Sequence, residues 1–220
     1  MSAAPVERPH GSEGSDPYGE KPRTLLDQAD RLMEQLPGYR VEILGGALTV
    51  TPPPDAAHAR ALSRLKRPFA AAGLDGGETG ETEVLEGVGL WLPDGPEDFA
   101  VPDLSVVDAD IEEHLVEYNC YDPAVFRLVL EVTSSNHRND LRTKVKAYGN
   151  AKVPVYVIVD RKHDRLHVLT DLVEAGYDTH RVHPRGEHVT LPESIGAEVT
   201  LDVSAVLSAA QAAPDPRIRR

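Results

Sequence analysis

The stretch Phe126–Ser135, FRLVLEVTSS, decides the fold, because it is typical of a β-strand that is buried on both faces of a sheet. Apolar residues fill its centre, but Glu131 stands where another valine or isoleucine is expected. Burying an unpaired carboxylate costs several kcal/mol or forces it to take up a proton. The acid therefore indicates a buried partner or a function.

The composition is that of one globular domain. The chain has 220 residues, of which 40% are hydrophobic and 27% are charged, which suits one well-buried core. No apolar run approaches the ~20 residues that span a bilayer, so we expect no membrane partner. The first residues lack an apolar signal-peptide core, which predicts a cytoplasmic location. The single cysteine, Cys120, excludes an intrachain disulfide and a multi-cysteine zinc site.

The charge is negative overall and locally positive. The net charge of −13 argues against tight, non-specific binding to nucleic acid. Between residues 138 and 165, however, eight Lys and Arg stand against three Asp. Such a strip can contact phosphates, although a solvated helix face is the more common interpretation of a charge run.

The predicted organisation is a single domain over residues 23–208, between a disordered segment at 1–22 and a flexible tail at 209–220. Helices are predicted at 25–36, after Asp55, at about 136–150 and at 203–211. Strands are predicted for a hairpin at 39–50 and at about 83–92, 104–107, 126–132, 153–160, 165–170 and 177–183. The expected architecture is an α/β fold, with a mixed sheet flanked by helices and additional strands towards the C-terminus.

A second acid, Asp103, opens the predicted strand PDLSVV. If this strand neighbours the one that carries Glu131, the two carboxylates meet at one end of the sheet. They would repel each other, so we expect at least one raised pKa in the absence of metal. Mg²⁺ takes oxygen ligands from one or two carboxylates together with water and phosphate. A divalent cation would therefore explain the buried Glu131.

The helix predicted after this strand brings a lysine to the same place. Its apolar positions are spaced for one buried face, at Leu141, Val145 and Tyr148. Lys144 lies at the edge of that face and can point back towards Glu131. Lys146 is turned about 200° from Lys144 and should face water.

A plainer interpretation needs no metal. Asp140 and Lys144 are four residues apart and can form an ordinary helical ion pair. Glu131 is then satisfied by this pair or by backbone amides. Spacing alone leaves both interpretations open.

The segments VPDLSVV and LVLEVTSSNHRNDLRTKVKAYGNAKVPVYVIVD resemble the Uma-type restriction endonuclease family, which belongs to the PD-(D/E)XK nuclease superfamily. Upstream, YRVEILGGALTVTPPPDAAHARAL is similar to the family's opening signature of a Glu, a Gly and a helix-borne His. The resemblance extends over residues 25–206. It implies a PD-(D/E)XK core, DNA as the substrate, and Asp103 and Glu131 as ligands of Mg²⁺ or Mn²⁺.

The resemblance also implies roles for further residues. The superfamily's lysine stands two residues after the acid, where this chain has Thr133; in this family it lies on the helix, and Lys144 matches it. Its role would be to position water or to stabilise charge on phosphate. Glu42 and His58 match the opening signature, with Glu42 as a further ligand or as the partner of His58. From the residues themselves, Glu42 can be a paired surface glutamate, and the spacing of His58 favours a packed, hydrogen-bonded histidine that faces inward.

The sequence therefore predicts a Mg²⁺- or Mn²⁺-dependent endonuclease that hydrolyses phosphodiester bonds in DNA. The alternative is a non-catalytic module that keeps the nuclease fold and binds nucleic acid or protein. The negative net charge and Thr133 favour the module, whereas Asp103, Glu131 and Lys144 favour the enzyme. A homodimer is compatible with both.

Overall fold

The computed structural model describes residues 24–76, 80–133, 139–174 and 176–211. Within these ranges, no helix combines the length and the apolar character needed to cross a membrane. The segment predicted as disordered, 1–22, lies outside them. Most of the predicted tail, 209–220, also lies outside, since only its first three residues are described.

The described α-helices follow the sequence prediction closely. They are α1 (Leu25–Gln35), α2 (Ala56–Ala71), α3 (Lys144–Asn150) and α4 (Val203–Ala210). Thr24 caps α1, and Asp55 and Asp202 cap α2 and α4 through their side-chain oxygens. Each cap satisfies a backbone N–H that the first turn of a helix leaves without a partner. Before α3, a π-helical turn covers Asn139–Thr143, and the start predicted for this helix, near residue 136, lies outside the described residues.

Within the described ranges, the strands form two larger sheets and one small one. They are β1 (Arg40–Leu44), β2 (Ala47–Thr51), β3 (Thr82–Leu85), β4 (Gly89–Trp91), β5 (Phe99–Ala100), β6 (Leu104–Asp108), β7 (Leu115–Glu117), β8 (Cys120–Tyr121), β9 (Phe126–Val132), β10 (Val155–Asp160), β11 (Arg165–Val173), β12 (Gly176–Pro184), β13 (His188–Leu191) and β14 (Val199–Asp202). The first sheet has the order β12-β11-β10-β9-β6-β3, the second β2-β1-β5-β4-β8-β7, and β13 pairs with β14.

The first sheet is the centre of the molecule, and β9 lies inside it. β9 pairs in parallel with β10 and antiparallel with β6. On one face, Leu128 and Leu130 pack into a cluster with residues of α2 and α4. On the other face, Val129 packs with residues of α3. Both faces are covered, as the apolar run of β9 predicts, and Glu131 lies on the face towards α3.

The second sheet begins with the predicted hairpin. Gly45 and Gly46 both have positive φ angles, +59° and +72°, which is the backbone that a tight two-residue hairpin turn requires. The prediction of one strand at about 83–92 is wrong. β3 and β4 belong to different sheets, and Gly87, with φ +67°, turns the chain between them.

The close packing of α3 on β12 yields a stability prediction. A Cβ added to Gly149 would lie 2.9 Å from the Cα of Gly176. We expect Gly149→Ala to lower the free energy of unfolding by ~1–3 kcal/mol, because this backbone clash outweighs the gain of ~1 kcal/mol in helix propensity. Urea unfolding measures the change. Lys146→Ala, at an exposed position of the same helix, is the control, and equal stability of both variants would contradict the packing.

Candidate active site

Asp103 and Glu131 lie at the same end of the central sheet. β6 and β9 are antiparallel, with Leu104 opposite Leu130, so the start of β6 meets the end of β9. Both acids are 2% exposed. The Asp103 Oδ2 atom accepts a hydrogen bond from the N–H of Val132 at 2.7 Å, which ties the two strand ends together. The two carboxylates therefore meet at one end of the sheet, as their positions in the sequence predict.

Lys144 points from α3 to these acids. Its Nζ atom lies 2.7 Å from Glu131 Oε1 and 2.9 Å from Glu42 Oε1. Lys146 is exposed on the same helix, so the two lysines separate as their spacing predicts. The plainer interpretation also named Asp140 as a partner of Lys144, but the side chain of Asp140 lies outside the described residues.

Glu42 comes from β1 in the second sheet and is buried, with 1% exposure. Its Oε1 atom accepts a hydrogen bond from the N–H of Val101 at 2.8 Å and contacts Lys144. A paired surface glutamate is therefore wrong. The contacts described for Glu42 join it to Lys144 rather than to His58.

His58 lies in the first turn of α2 and faces inward, as the apolar spacing of that helix predicts. Its Nε2 atom is 3.3 Å from Asp103 Oδ2. This nitrogen is buried and makes no aligned hydrogen bond to any described residue. His58 is thus an electrostatic neighbour of Asp103.

Tyr148 contributes a polar group where the spacing of α3 indicated apolar packing. Its hydroxyl donates a hydrogen bond to Glu131 Oε1 at 2.8 Å. Burial raises the pKa of Tyr148 well above its ordinary value, and the negative charge of Glu131 adds to the shift. The phenol therefore stays protonated and acts as a donor to the acid.

Arg40 is the site residue that the sequence analysis missed. Its guanidinium bridges the two acids, with Nη2 2.6 Å from Asp103 Oδ1 and Nη1 3.8 Å from Glu131 Oε2. A signal for it exists in the sequence. Arg40 and Glu42 are two residues apart in β1, and such residues share one face of a strand, so an acid on the site side of β1 brings this arginine with it.

Thr133, two residues after Glu131, has a structural role at the end of β9. Thr133 is buried, and its hydroxyl accepts a hydrogen bond from the N–H of Arg161 at 3.0 Å. It joins the end of β9 to the residue that follows β10. The positive charge at Glu131 comes instead from Lys144.

The pKa of Asp103 is not the raised carboxyl pKa that two neighbouring acids predict. Burial by itself would raise the pKa of Asp103, but the neighbouring His58 and Arg40 and the N–H of Val132 outweigh burial and hold the pKa well below its usual range. A second acid nearby is therefore not enough to raise the pKa of Asp103, because these neighbours favour its charged form.

The site opens into a cleft of about 1080 Å³. Its lining includes the basic side chains of Arg40, Lys144, Arg161 and Lys162. Arg161 contacts Asp55 at 2.8 Å on the cleft wall. Part of the basic strip predicted at 138–165 therefore faces the cleft, where it can meet an anionic ligand.

The acids fit a divalent cation in part. Among the described residues, no group of three or more His, Cys, Asp and Glu side chains is arranged to hold a metal ion. Asp103 Oδ1, however, is buried and has no aligned hydrogen bond from a described residue, although Arg40 lies 2.6 Å away. Glu131 Oε2 faces the same guanidinium. Mg²⁺ is commonly bound by one or two carboxylates together with water and phosphate. Asp103 and Glu131 can supply these two carboxylates.

The comparison with protein families settles the family. A family model with the description "Uma2: Putative restriction endonuclease" matches residues 26–204, most of the chain. The chain belongs to the Uma2 family. A search among curated proteins gave no match.

A solved structure shows the fold of this Uma2 chain independently. The chain is similar to a crystal structure described as a "putative nuclease belonging to DUF820" from Anabaena variabilis ATCC 29413, with a TM-score of 0.58 and 13% sequence identity. The match covers 78% of this chain and 91% of the other. The predicted family and the predicted nuclease-like α/β fold are thus confirmed.

The lowered pKa of Asp103 predicts how stability depends on pH. An acid whose pKa is lower in the folded chain than in the unfolded chain stabilises the fold above the unfolded pKa of ~3.9. This contribution is lost as the pH falls towards the folded value. We expect Asp103→Asn to be less stable than wild type at pH 7 and the difference to shrink as the pH is lowered from 5 to 3.

Urea unfolding across this pH range is the measurement. Glu112→Gln, at an exposed position, is the control because it removes the same charge far from the cluster. Parallel stability curves for Asp103→Asn and wild type would contradict the charged, ion-paired state of Asp103.

Proposed function

We propose that this Uma2 chain is a metal-dependent endonuclease that hydrolyses phosphodiester bonds in DNA. Asp103 and Glu131 would hold a Mg²⁺ or Mn²⁺ ion, and their Oδ1 and Oε2 atoms are the ones that face Arg40. The observation that carries the proposal is that these two oxygens of buried acids face one cationic group, Arg40, at the bottom of an open cleft. The family description, "Putative restriction endonuclease", supports the same reaction class.

The cation supplies the part of the chemistry that this chain's side chains lack. When bound, it would polarise a phosphate oxygen and activate water for attack. The residues of the chain keep its ligands in place. Val132 holds one oxygen of Asp103 through its N–H, while Lys144 and Tyr148 hold one oxygen of Glu131.

Lys144 places a fixed positive charge beside the ligand Glu131. Its ammonium is anchored between Glu131 and Glu42 and is almost completely buried. A preorganised charge of this kind stabilises negative charge that develops on a phosphate, because it need not reorient during the reaction. We assign this role to Lys144 and assign Glu42 the role of holding Lys144.

DNA as the substrate is supported by the cleft more than by the charge of the whole chain. The protein is strongly acidic, so its long-range field does not attract a polyanion. The basic side chains of Arg40, Lys144, Arg161 and Lys162 line the cleft. Phosphates would therefore be bound by short-range contacts inside the cleft.

One observation favours the second candidate, a non-catalytic binding module. Arg40 and Lys144 pair with the three acids of the cluster, Asp103, Glu131 and Glu42, so the cluster is neutralised to a large extent without a metal. A chain in which these ion pairs never open would keep the nuclease fold and bind DNA or protein without cleaving it.

Metal binding can be measured without any substrate. Because a ligand of the folded state stabilises it by mass action, by ~2.7 kcal/mol at a concentration of 100 times Kd, millimolar Mg²⁺ or Mn²⁺ should raise the melting temperature of wild type. Asp103→Asn should lose most of this rise. A melting temperature that does not respond to either ion, together with no calorimetric signal, would contradict the metal site.

The cleavage reaction separates the enzyme from the binding module. Purified protein should nick or degrade DNA in Mg²⁺ or Mn²⁺. Asp103→Asn and Glu131→Gln should abolish cleavage, because each replaces a charged ligand by a neutral group of similar volume. Lys144→Ala should lower kcat by roughly 10²–10³-fold and keep metal binding.

Lys146→Ala is the matched control for Lys144→Ala, since Lys146 lies on the exposed side of the same helix. It should leave kcat near the wild-type value. Normal cleavage by Lys144→Ala together with loss of cleavage by Lys146→Ala would reverse the assignment. A wild type that binds DNA equally well in EDTA and never cleaves it would support the binding module.

A further inference from the structure

We propose that Arg40 is an exchangeable counter-ion of the metal site. Its guanidinium holds Asp103 and Glu131 together before a divalent cation binds, and it moves to a phosphate of the substrate when the cation takes its place. The inference rests on the proposed function, because it takes Asp103 and Glu131 as the ligands. In this role Arg40 is a positioning residue, which couples occupancy of the metal site to substrate binding.

The contacts show which carboxylate oxygens face Arg40. Asp103 Oδ2 accepts the N–H of Val132, and Glu131 Oε1 accepts Lys144 and Tyr148. These oxygens are fixed by the fold. Arg40 contacts the other oxygen of each acid, Asp103 Oδ1 and Glu131 Oε2. A cation held by Asp103 and Glu131 would therefore compete with the guanidinium for these two acids.

The side chain of Arg40 is also better able to move than that of Lys144, the other basic residue of the cluster. The side chain of Arg40 is 25% exposed and borders the cleft, whereas that of Lys144 is 4% exposed. Lys144 makes two short contacts, at 2.7 and 2.9 Å. Arg40 makes one short contact, at 2.6 Å, and one long contact, at 3.8 Å. Arg40 can thus withdraw into the cleft while Lys144 stays in place.

The charges give a reason for the exchange. With Glu42, Asp103 and Glu131 ionised, a divalent cation and Lys144 together balance the three acids. The charge of Arg40 is then in excess and is repelled by the cation. A phosphate in the cleft is the natural new partner, because a guanidinium binds phosphate through two parallel hydrogen bonds.

Arg40 must leave as a cation. Burial by itself would lower the pKa of Arg40, but Asp103, Glu131 and Glu42 raise it above its ordinary value. The side chain therefore cannot leave the acids by losing a proton at any ordinary pH. It exchanges one anionic partner for another.

The first test is calorimetric titration of Mg²⁺ into the full chain without DNA. Arg40→Met removes the competing charge and keeps an unbranched apolar side chain, so it should bind Mg²⁺ roughly tenfold more tightly than wild type. Arg161→Met is the matched control: it removes another arginine of the cleft, which pairs with Asp55, and should leave Mg²⁺ affinity unchanged. Equal or weaker Mg²⁺ affinity in Arg40→Met would overturn the proposal.

Arg40→Lys is the second variant for this titration, and it replaces Arg40→Met if that variant does not fold without metal. It retains one positive charge, but a single ammonium cannot present the planar fork that spans both acids. Its Mg²⁺ affinity should lie between those of wild type and Arg40→Met. An affinity no higher than that of wild type would count against the exchange.

The second test follows the phosphate contact. The affinity for a short DNA duplex is measured by fluorescence anisotropy over a range of KCl concentrations, once in Mg²⁺ and once in EDTA. In Mg²⁺, the slope of log affinity against log salt should be smaller by about 1 for Arg40→Met than for wild type, because one phosphate contact is lost. In EDTA the slopes should agree, since Arg40 is then held by the acids. An equal slope difference in both conditions would show a phosphate contact that does not depend on exchange.

The two proposals fail in different ways. If the proposed function is wrong, Mg²⁺ binding will not respond to Asp103→Asn. If only the exchange is wrong, Mg²⁺ binding will depend on Asp103 and stay unchanged in Arg40→Met. Absence of Mg²⁺ binding in wild type and in all variants would overturn both.

Discussion

The ion pair between Lys144 and Glu131 lies where three parts of the molecule meet. Glu131 belongs to β9 of the central sheet, Lys144 begins α3, and the same ammonium contacts Glu42 on β1 of the second sheet. Removing one partner of such a buried pair typically costs ~3–5 kcal/mol, because the remaining charge has no compensation. The contacts that form the candidate site therefore also hold the two sheets and the helix together.

Part of the site could be predicted from local patterns, and part could not. Glu131 is conspicuous in an apolar run, and the period of α3 places Lys144 on its side of the helix. Each of these two inferences uses the residue pattern of a single strand or helix. The approach of Arg40 to the acids depends on how the second sheet packs against the first. The hydrophobic period of one strand or helix carries no information about that packing. The expectation of a raised carboxyl pKa therefore left out Arg40, one of the groups that lower the pKa of Asp103.

The fold shows the same limit. Helices with clear caps and long apolar spacing, and strands such as β9 and β10, were predicted correctly. β5 and β8 have two residues each, which is too few to show the alternation of a strand. The predicted strand at about 83–92 is in fact two strands in different sheets, separated by a turn at Gly87. The turn was missed because apolar residues continue on both sides of it. The division of the strands between two larger sheets therefore could not be predicted from the sequence pattern alone.

The net charge of −13 sets a condition on how this chain can bind a polyanion. Its long-range field repels phosphate, and salt screens that field beyond ~8–10 Å at physiological ionic strength. Affinity must then come from contacts inside the cleft, where three buried acids outnumber Arg40 and Lys144. In the proposed function, a divalent cation would reverse the sign of the site and would release the charge of Arg40 towards the substrate. Since coupling between two ligands is reciprocal, DNA would in turn strengthen metal binding. Acids that repel DNA by themselves would thus make its recognition conditional on the metal.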